Sequence, residues 1–557
     1  MKKQFLCMLF SLFVLSIDAG QPYKVLNQDN TGSAVSKHLY GGFIELGFGR
    51  SDLLWGEMLF DVSFEQTRPL ALKNPWVSYW RPRKEMEDWW HSGYEESNWY
   101  ILQGGEKDYE IDKYLWTKQG SHGRRCIFLS NDEKRVPGYL RRAERKFKSG
   151  TMYLAQDSLY LKKGITYKFT GFFGEGVYDG AERTIAPVPI KIGLYTEGDL
   201  SRPVATAILN IDAIKLREFS AKLDPQGYEG RATFAVEIPE GVNMVADLFS
   251  LMPDSTVKGW RTDVVDILKN KIRPRSIRFP GGCYASWYNW REGVGPREFR
   301  RVSYETFWNC EVQNDVGVVE YWELCNAIGA EPFYCIPLMF SDVNEIIELI
   351  DFCNNPENER RISYGYKDPV RIEYWEMDNE PYRRYTALEY AWKCAEYGKL
   401  MKQKDPTIKL VMGNYWDFNK RFAEMLEIAG PYIDMITNRG GSVAEMWNDI
   451  SILEKYNKEH NRNITLCHTE LRPPLAKNSG GSEEAVSQEI DLKEMGKFTS
   501  ESNCYEIAPE SKNGFNTTEK PETVRMTQSK LKTAKTSLLS LKLKPHSALA
   551  VELVTTR

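Results

Sequence analysis

The chain reads as an α/β protein: a (β/α)8-type barrel with an inserted β-sandwich domain and a partial C-terminal β-sandwich. Three observations predict this. From about residue 242 onward, short apolar runs alternate with segments of helical period. Between about 60 and 238 the period is two, and glycine-bearing turns separate the runs. Two glutamates, Glu380 and Glu470, each close a barrel-type strand, the end at which such barrels carry their active sites.

The elements run in order. Lys2 and Lys3 precede an apolar stretch from Phe5 to Leu15, and small residues follow at Ala19 and Gly20. That pattern is an export signal covering residues 1–20, too short to span a bilayer. The expected location is periplasmic, cell-surface or secreted. Residues 21–59 hold the first barrel strand, around 39–47, which ends near Glu45. The sandwich is expected over 60–238. The catalytic barrel is expected over 239–475, with strands near 275–280, 331–338, 372–378, 408–413, 433–437 and 464–469. Helical segments fall between them; Val343, Ile346, Ile347 and Ile350 share one face, with Ser341 or Asp342 as cap. Residues 476–557 read as a polar linker, with strand character only near 538–543 and 548–554. No eighth barrel strand is legible there.

Composition narrows the function. The chain has 557 residues, too many for one core, with 42% hydrophobic and 27% charged residues and a net charge of −4. No basic excess suggests a nucleic-acid partner, and no long apolar run suggests a membrane span. Of 10 cysteines, Cys7 falls in the leader and the rest are scattered with no CxxC pair, so neither structural zinc nor a full disulfide framework is expected. No P-loop, dinucleotide fingerprint, GxSxG elbow or metal-spaced His pair stands out. No cofactor and no metal are implied.

Two strand-end glutamates are what cleavage of a glycosidic bond requires. One protonates the leaving oxygen; the other attacks the sugar carbon or activates water. Pro381 cannot continue a ladder, so Glu380 sits at its strand's end. Glu376 and Asp378 would share a face with Glu380, and position favours Glu380 as the acid. His468 would share Glu470's face, either tuning its charge or serving as a hydrogen-bonded core residue. Asn379 and Arg278 can bind sugar hydroxyls, and Gly281-Gly282 lets backbone approach a ligand. Trp287, Tyr288 and Trp290 form either a sugar-facing wall or helix–barrel packing. Trp76, Trp80, Trp89, Trp90, Trp99 and Trp116 form either a polysaccharide platform or sandwich core, with core favoured.

Arg278-Phe279-Pro280-Gly281-Gly282, Trp290 through Gly293-Val294-Gly295-Pro296, Gly329-Ala330-Glu331-Pro332 and Trp375-Glu376-Met377-Asp378-Asn379-Glu380 are similar to signatures of the α-L-arabinofuranosidases of glycoside hydrolase family 51. Tyr40-Gly41-Gly42-Phe43-Ile44-Glu45 resembles that family's first strand, and the sandwich over 60–238 resembles the carbohydrate-binding insert of some members. The resemblance implies a retaining mechanism, with Glu380 as acid/base, Glu470 as nucleophile and carboxyl groups about 5–5.5 Å apart. It implies that Glu45, Arg278, Cys283, Trp290 and Asn379 bind substrate, and that an arabinose-containing polysaccharide or oligosaccharide is the partner. The chain departs from the pattern at several places. Cys283 stands where many members have Asn, Asp378 where Gly is usual, and Thr437-Asn438-Arg439 where many have His and Tyr. Thr469-Glu470-Leu471 lacks the common Trp, and a barrel without its eighth strand has an open edge. Two other functions fit the same residues: another retaining glycosidase such as an endo-glucanase, or a non-catalytic carbohydrate-binding protein on the same scaffold.

Overall fold

The computed structural model describes residues 41–46, 54–64, 99–108, 113–115, 125–132, 149–175, 186–305, 310–439, 443–470, 486–491, 497–498, 501–508, 524–532, 538–544 and 548–553, with short pairs at 7–8, 23–24 and 555–556. Two compact units divide the chain: residues 37–469, and residues 1–36 with 470–557.

The larger unit holds the barrel sheet. Its strands are β1 (Gly41–Phe43), β2 (Ser276–Phe279), β3 (Glu331–Ile336), β4 (Tyr374–Met377), β5 (Lys409–Tyr415), β6 (Met435–Arg439) and β7 (Thr465–Cys467). They pair in that order, all parallel. Parallel neighbours need crossovers. These are helices α1 (Val318–Ile328), α2 (Val343–Asn354), α3 (Ala387–Lys404), α4 (Phe422–Ala429) and α5 (Val443–His460), one such crossover helix between each pair of strands from β2 onward, with a further short helix, Glu359–Ser363, following α2. Among the described residues the parallel sheet has seven strands.

The helices form where caps and period agree. Asp342 caps α2, accepting from Asn344 N at 2.8 Å, and Ile346, Leu349, Ile350 and Cys353 are its buried face. Thr386 and Glu389 form a capping box at the start of α3. The middle of the sheet is the most buried part, as parallel sheets require: Leu410, Val411 and Met412 of β5 are fully buried, whereas β1 and β7 at its ends are exposed or half-buried.

The insert is two antiparallel sheets. One runs Asp199–Ile211, Val188–Thr196, Gly230–Ile238, Met152–Leu161, Trp99–Gln103, Glu106–Asp108; the other runs Arg217–Leu223, Tyr167–Gly174, Asn243–Pro253, Arg125–Ser130, Lys113–Leu115. Phe169 stacks on Phe234, with ring centroids 5.1 Å apart, and Trp99 and Phe249 complete an aromatic core. Trp99 thus follows the core reading; Trp76, Trp80, Trp89, Trp90 and Trp116 lie outside the described residues. The sandwich also runs past the boundary expected at residue 238, because Asn243–Pro253 is one of its inner strands. That strand is nearly all buried, so it lacks the alternation that marks a half-exposed strand.

In the smaller unit, Glu501–Ile507 pairs antiparallel with Met526–Lys532 and Ala548–Leu553, and Val486–Asp491 pairs with Leu538–Leu543. Much of the segment read as polar linker is therefore strand. Its inward positions include Ser502 and Cys504, which hide the period from a hydrophobicity pattern. Among the described residues no helix is long and apolar enough to cross a membrane.

Candidate active site

The site is built at the C-terminal ends of β2, β3 and β4, with β6 and β7 contributing from across the barrel. Its base is Arg278 on β2. The side chain is 3% exposed and forms an ion pair through Nε with Glu376 of β4, which is fully buried. Nη1 donates to Gly281 O at 2.6 Å, and Nη2 donates to Asn379 Oδ1 at 3.0 Å and to Cys335 Sγ at 3.4 Å. A buried guanidinium is tolerable only when its donors are met. Here it fixes the β2 turn, β3 and the end of β4 at once.

Glu376 has a second partner. Thr469 Oγ1 donates to its Oε1 at 2.5 Å, and Thr437 Oγ1 lies 2.9 Å from Thr469 Oγ1. Two strands stand between β4 and β7 in the sheet. A direct hydrogen bond between them must pass through the barrel interior, so the sheet is strongly curled. Glu376 is therefore part of the interior layer, not a solvent-facing acid.

Beyond Met377 the backbone leaves the strand. Asp378 and Glu380 both adopt the left-handed region, with φ of 73° and 50°. The expectation that Glu376, Asp378 and Glu380 share one strand face is therefore corrected; strand alternation stops at Met377. The left-handed φ also accounts for the departure at Asp378, since glycine suits that conformation and Asp tolerates it better than most residues. Asp378 accepts from Ser286 Oγ at 2.5 Å, from Asn379 N at 2.6 Å, and through Oδ2 from the Met339 amide. It ties the loops after β2 and β3 to the end of β4. Burial pushes its carboxyl up to about 7, against the hydrogen bonds that lower it. Sequence reading missed this role.

Glu380 is the N-cap of a short 3-10 turn, Pro381–Arg383, and is 8% exposed. It forms an ion pair with Arg383, whose Nη2 also lies 2.9 Å from Cys283 Sγ. Asn379 is fully buried, with Nδ2 4.0 Å from the same sulfur. Glu45 follows β1 and is held by Ile44 N to Arg278 O at 2.9 Å and Leu46 N to Pro280 O at 3.2 Å. Its Oε1 accepts from Tyr284 N at 3.0 Å. Gly281 has φ of 136°, and a Cβ there would overlap Glu45, so only glycine lets the β2 turn approach it.

Within the larger unit the structure thus brings Arg278, Cys283, Asn379 and Glu380 together, with Glu45 against the same turn. Trp290 is not among them. It is 4% exposed, its ring centroid is 5.1 Å from that of Phe352, and Arg291 covers it. Trp290, and Tyr288 at 2% exposed, thus follow the helix–barrel packing reading. Trp287 alone of the three is exposed. Glu470 follows Thr469 directly, three residues after β7. His468 donates from Nδ1 to the Asn438 carbonyl at 2.7 Å. Among the described residues no group of three or more His, Cys, Asp or Glu is arranged to hold a metal ion.

In this parallel barrel sheet Asn379 and Glu380 follow the end of β4, beside a buried Arg278–Glu376 pair. Residues 268–437 match the family model of the α-L-arabinofuranosidase 1 domain. The chain is 33% identical over 202 residues to an intracellular exo-α-(1→5)-L-arabinofuranosidase of Halalkalibacterium halodurans, covering 33% of this chain and 40% of that one. It is 30% identical over 193 residues to α-L-arabinofuranosidase C of Emericella nidulans, covering 32% and 38%. The matched region thus spans two fifths or less of the length of these relatives. In structure the chain resembles an arabinose-bound α-L-arabinofuranosidase, MgGH51, with a TM-score of 0.60 at 15% identity, covering 95% of this chain and 99% of that one. That likeness shows the fold. The resemblance to the family 51 α-L-arabinofuranosidases is borne out.

Proposed function

We propose that this protein is a retaining glycoside hydrolase that releases α-L-arabinofuranosyl residues from arabinose-containing polysaccharides or oligosaccharides. One observation carries the reading: Thr469, the residue before Glu470, hydrogen-bonds Glu376 on the strand that leads to Glu380. This bond through the barrel interior supports a reading in which the residues that follow the two strands, Glu380 and Glu470, act as a pair. The matched α-L-arabinofuranosidase 1 domain supplies the sugar class.

In the first step Glu380 gives its proton to the glycosidic oxygen as Glu470 attacks the anomeric carbon. The bond to the leaving group breaks and a glycosyl ester forms on Glu470. In the second step Glu380, now a carboxylate, takes a proton from water as the water oxygen attacks the same carbon and frees Glu470. Arg383 pairs with Glu380. That pair must open before Glu380 can carry the proton, and it suits the carboxylate of the second step. Arg278 holds Asn379 in place, and Asn379 and Glu45 are the groups set to receive sugar hydroxyls.

Purified protein tested on an aryl α-L-arabinofuranoside and on a β-glucan decides the matter. Turnover of the arabinofuranoside, abolished in Glu470→Ala, supports the reading. Turnover of the glucan alone points to another glycosidase. Sugar binding without turnover, unaffected by Glu380→Ala and Glu470→Ala, points to a binding protein.

A further inference from the structure

We propose that Trp287, stacked on Phe340, whose ring Arg384 also covers, is a platform for the sugar ring of the leaving group. The inference rests on Glu380 being the acid. The two rings lie 3.9 Å apart between centroids, with an interplanar angle of 18°. The Arg384 guanidinium sits 4.7 Å from the Phe340 centroid. One ring face accommodates one stacked partner, so the cation and the indole cover opposite faces of Phe340. Trp287 is then the outer layer of the stack, and it is 45% exposed.

Single exposed aromatics need no explanation. This one is ordered: the ring is held from beneath, and its loop is anchored to the site. Trp287 follows Ser286, whose hydroxyl donates to Asp378 Oδ1 at 2.5 Å. Phe340 follows Met339, whose amide donates to Asp378 Oδ2. Arg384 follows Arg383, the partner of Glu380. Each layer is thus one residue from a contact to Asp378 or Glu380. Asp378 is two residues from Glu380, so the stack is held in fixed relation to the acid.

The chemistry then assigns the ligand. A general acid must face the glycosidic oxygen, and that oxygen leaves with the departing ring. The ring therefore lies on Glu380's side of the cleaved bond, the side on which the stack is mounted. The C–H face of a sugar ring packs on a flat indole, while its hydroxyls stay in water. Tyr288 and Trp290, next along the chain, are buried and offer no such face.

The test compares two substrates on the full-length protein. One is an arabinofuranosyl-substituted oligosaccharide, whose leaving group is a sugar. The other is α-L-arabinofuranosyl fluoride, whose leaving group is one atom. In Trp287→Ala the ratio of kcat/KM, oligosaccharide over fluoride, is expected to fall about tenfold relative to the parent. Phe340→Ala, which removes the support, should move it the same way. Trp287→Phe should keep it within about threefold of the parent. Melting curves identify any variant that fails to fold. A ratio unchanged in both alanine variants, including a proportional loss on both substrates, overturns the platform. A parent that turns over neither substrate instead defeats the catalytic reading of Glu380, and the platform with it.

Discussion

Thr469 Oγ1 lies 2.5 Å from Glu376 Oε1, joining the seventh barrel strand to the fourth through the barrel interior. The bond does two things. It satisfies one oxygen of a fully buried carboxylate, and it fixes the backbone just ahead of Glu470. Thr469→Val keeps the shape and removes the donor. It should cost about 1.5–3 kcal/mol, the range for a hydrogen bond to a charged group. Thr469→Ser should restore most of that. Denaturant melts of the three proteins check it.

The Arg278–Glu376 pair is nearly inaccessible to solvent. Removing one partner strands the other charge in a low dielectric. Arg278→Met alone should cost about 3–5 kcal/mol. The double variant Arg278→Met with Glu376→Met should be less destabilised than the sum of the two single changes, because no lone charge remains buried. A double-mutant cycle on unfolding free energies reads the coupling directly.

Asp378 gives stability a pH dependence of known sign. Burial raises its carboxyl from 3.8 to about 7 in the folded protein. Between those values the folded chain holds a proton that the unfolded chain releases. The stability it contributes is full below about pH 4 and is lost as the pH rises through about 7. Asp449, raised to about 6 chiefly by burial, acts in the same direction. Asp378→Asn cannot titrate, so its melting temperature should fall less steeply from pH 4.5 to pH 8 than the parent's. Parallel curves for the two proteins would show that Asp378 does not titrate in that window.

Gly281 carries a φ of 136° beside Glu45. Gly281→Ala both strains the backbone and pushes on the Glu45 side chain. Stability should drop by about 1–3 kcal/mol, and KM for the arabinofuranoside should rise, because Glu45 loses its position. Gly105, with φ of 81° but open space around it, is the control. Gly105→Ala should change stability only and leave KM alone.

Much of this arrangement is legible in the sequence. Arg278, Asn379 and Glu380 announce themselves because glycine and proline end their strands, and strand ends are where a barrel does its work. Non-local facts are not legible. Asp378 looks like a misfit in its motif until its left-handed backbone and its ties to Ser286 and Met339 are seen. Trp287 and Trp290 are three residues apart in irregular 3-10 turns, and no period tells which one faces outward. Asn243–Pro253 is buried along most of its length, with Asp247 and Ser250 buried among its apolar residues, so the pattern alone does not assign it to sandwich or barrel.

The central claim is that Glu470 forms a covalent glycosyl ester while Glu380 handles the proton. Mass spectrometry of the protein treated with a 2-deoxy-2-fluoro-α-L-arabinofuranosyl donor bearing a good leaving group tests it most directly. The account predicts one added fluoroarabinosyl mass, mapped to the peptide containing Glu470 and absent in Glu470→Ala. A label mapped to another carboxylate, or unlabelled protein that nonetheless turns over arabinofuranosides, would contradict it.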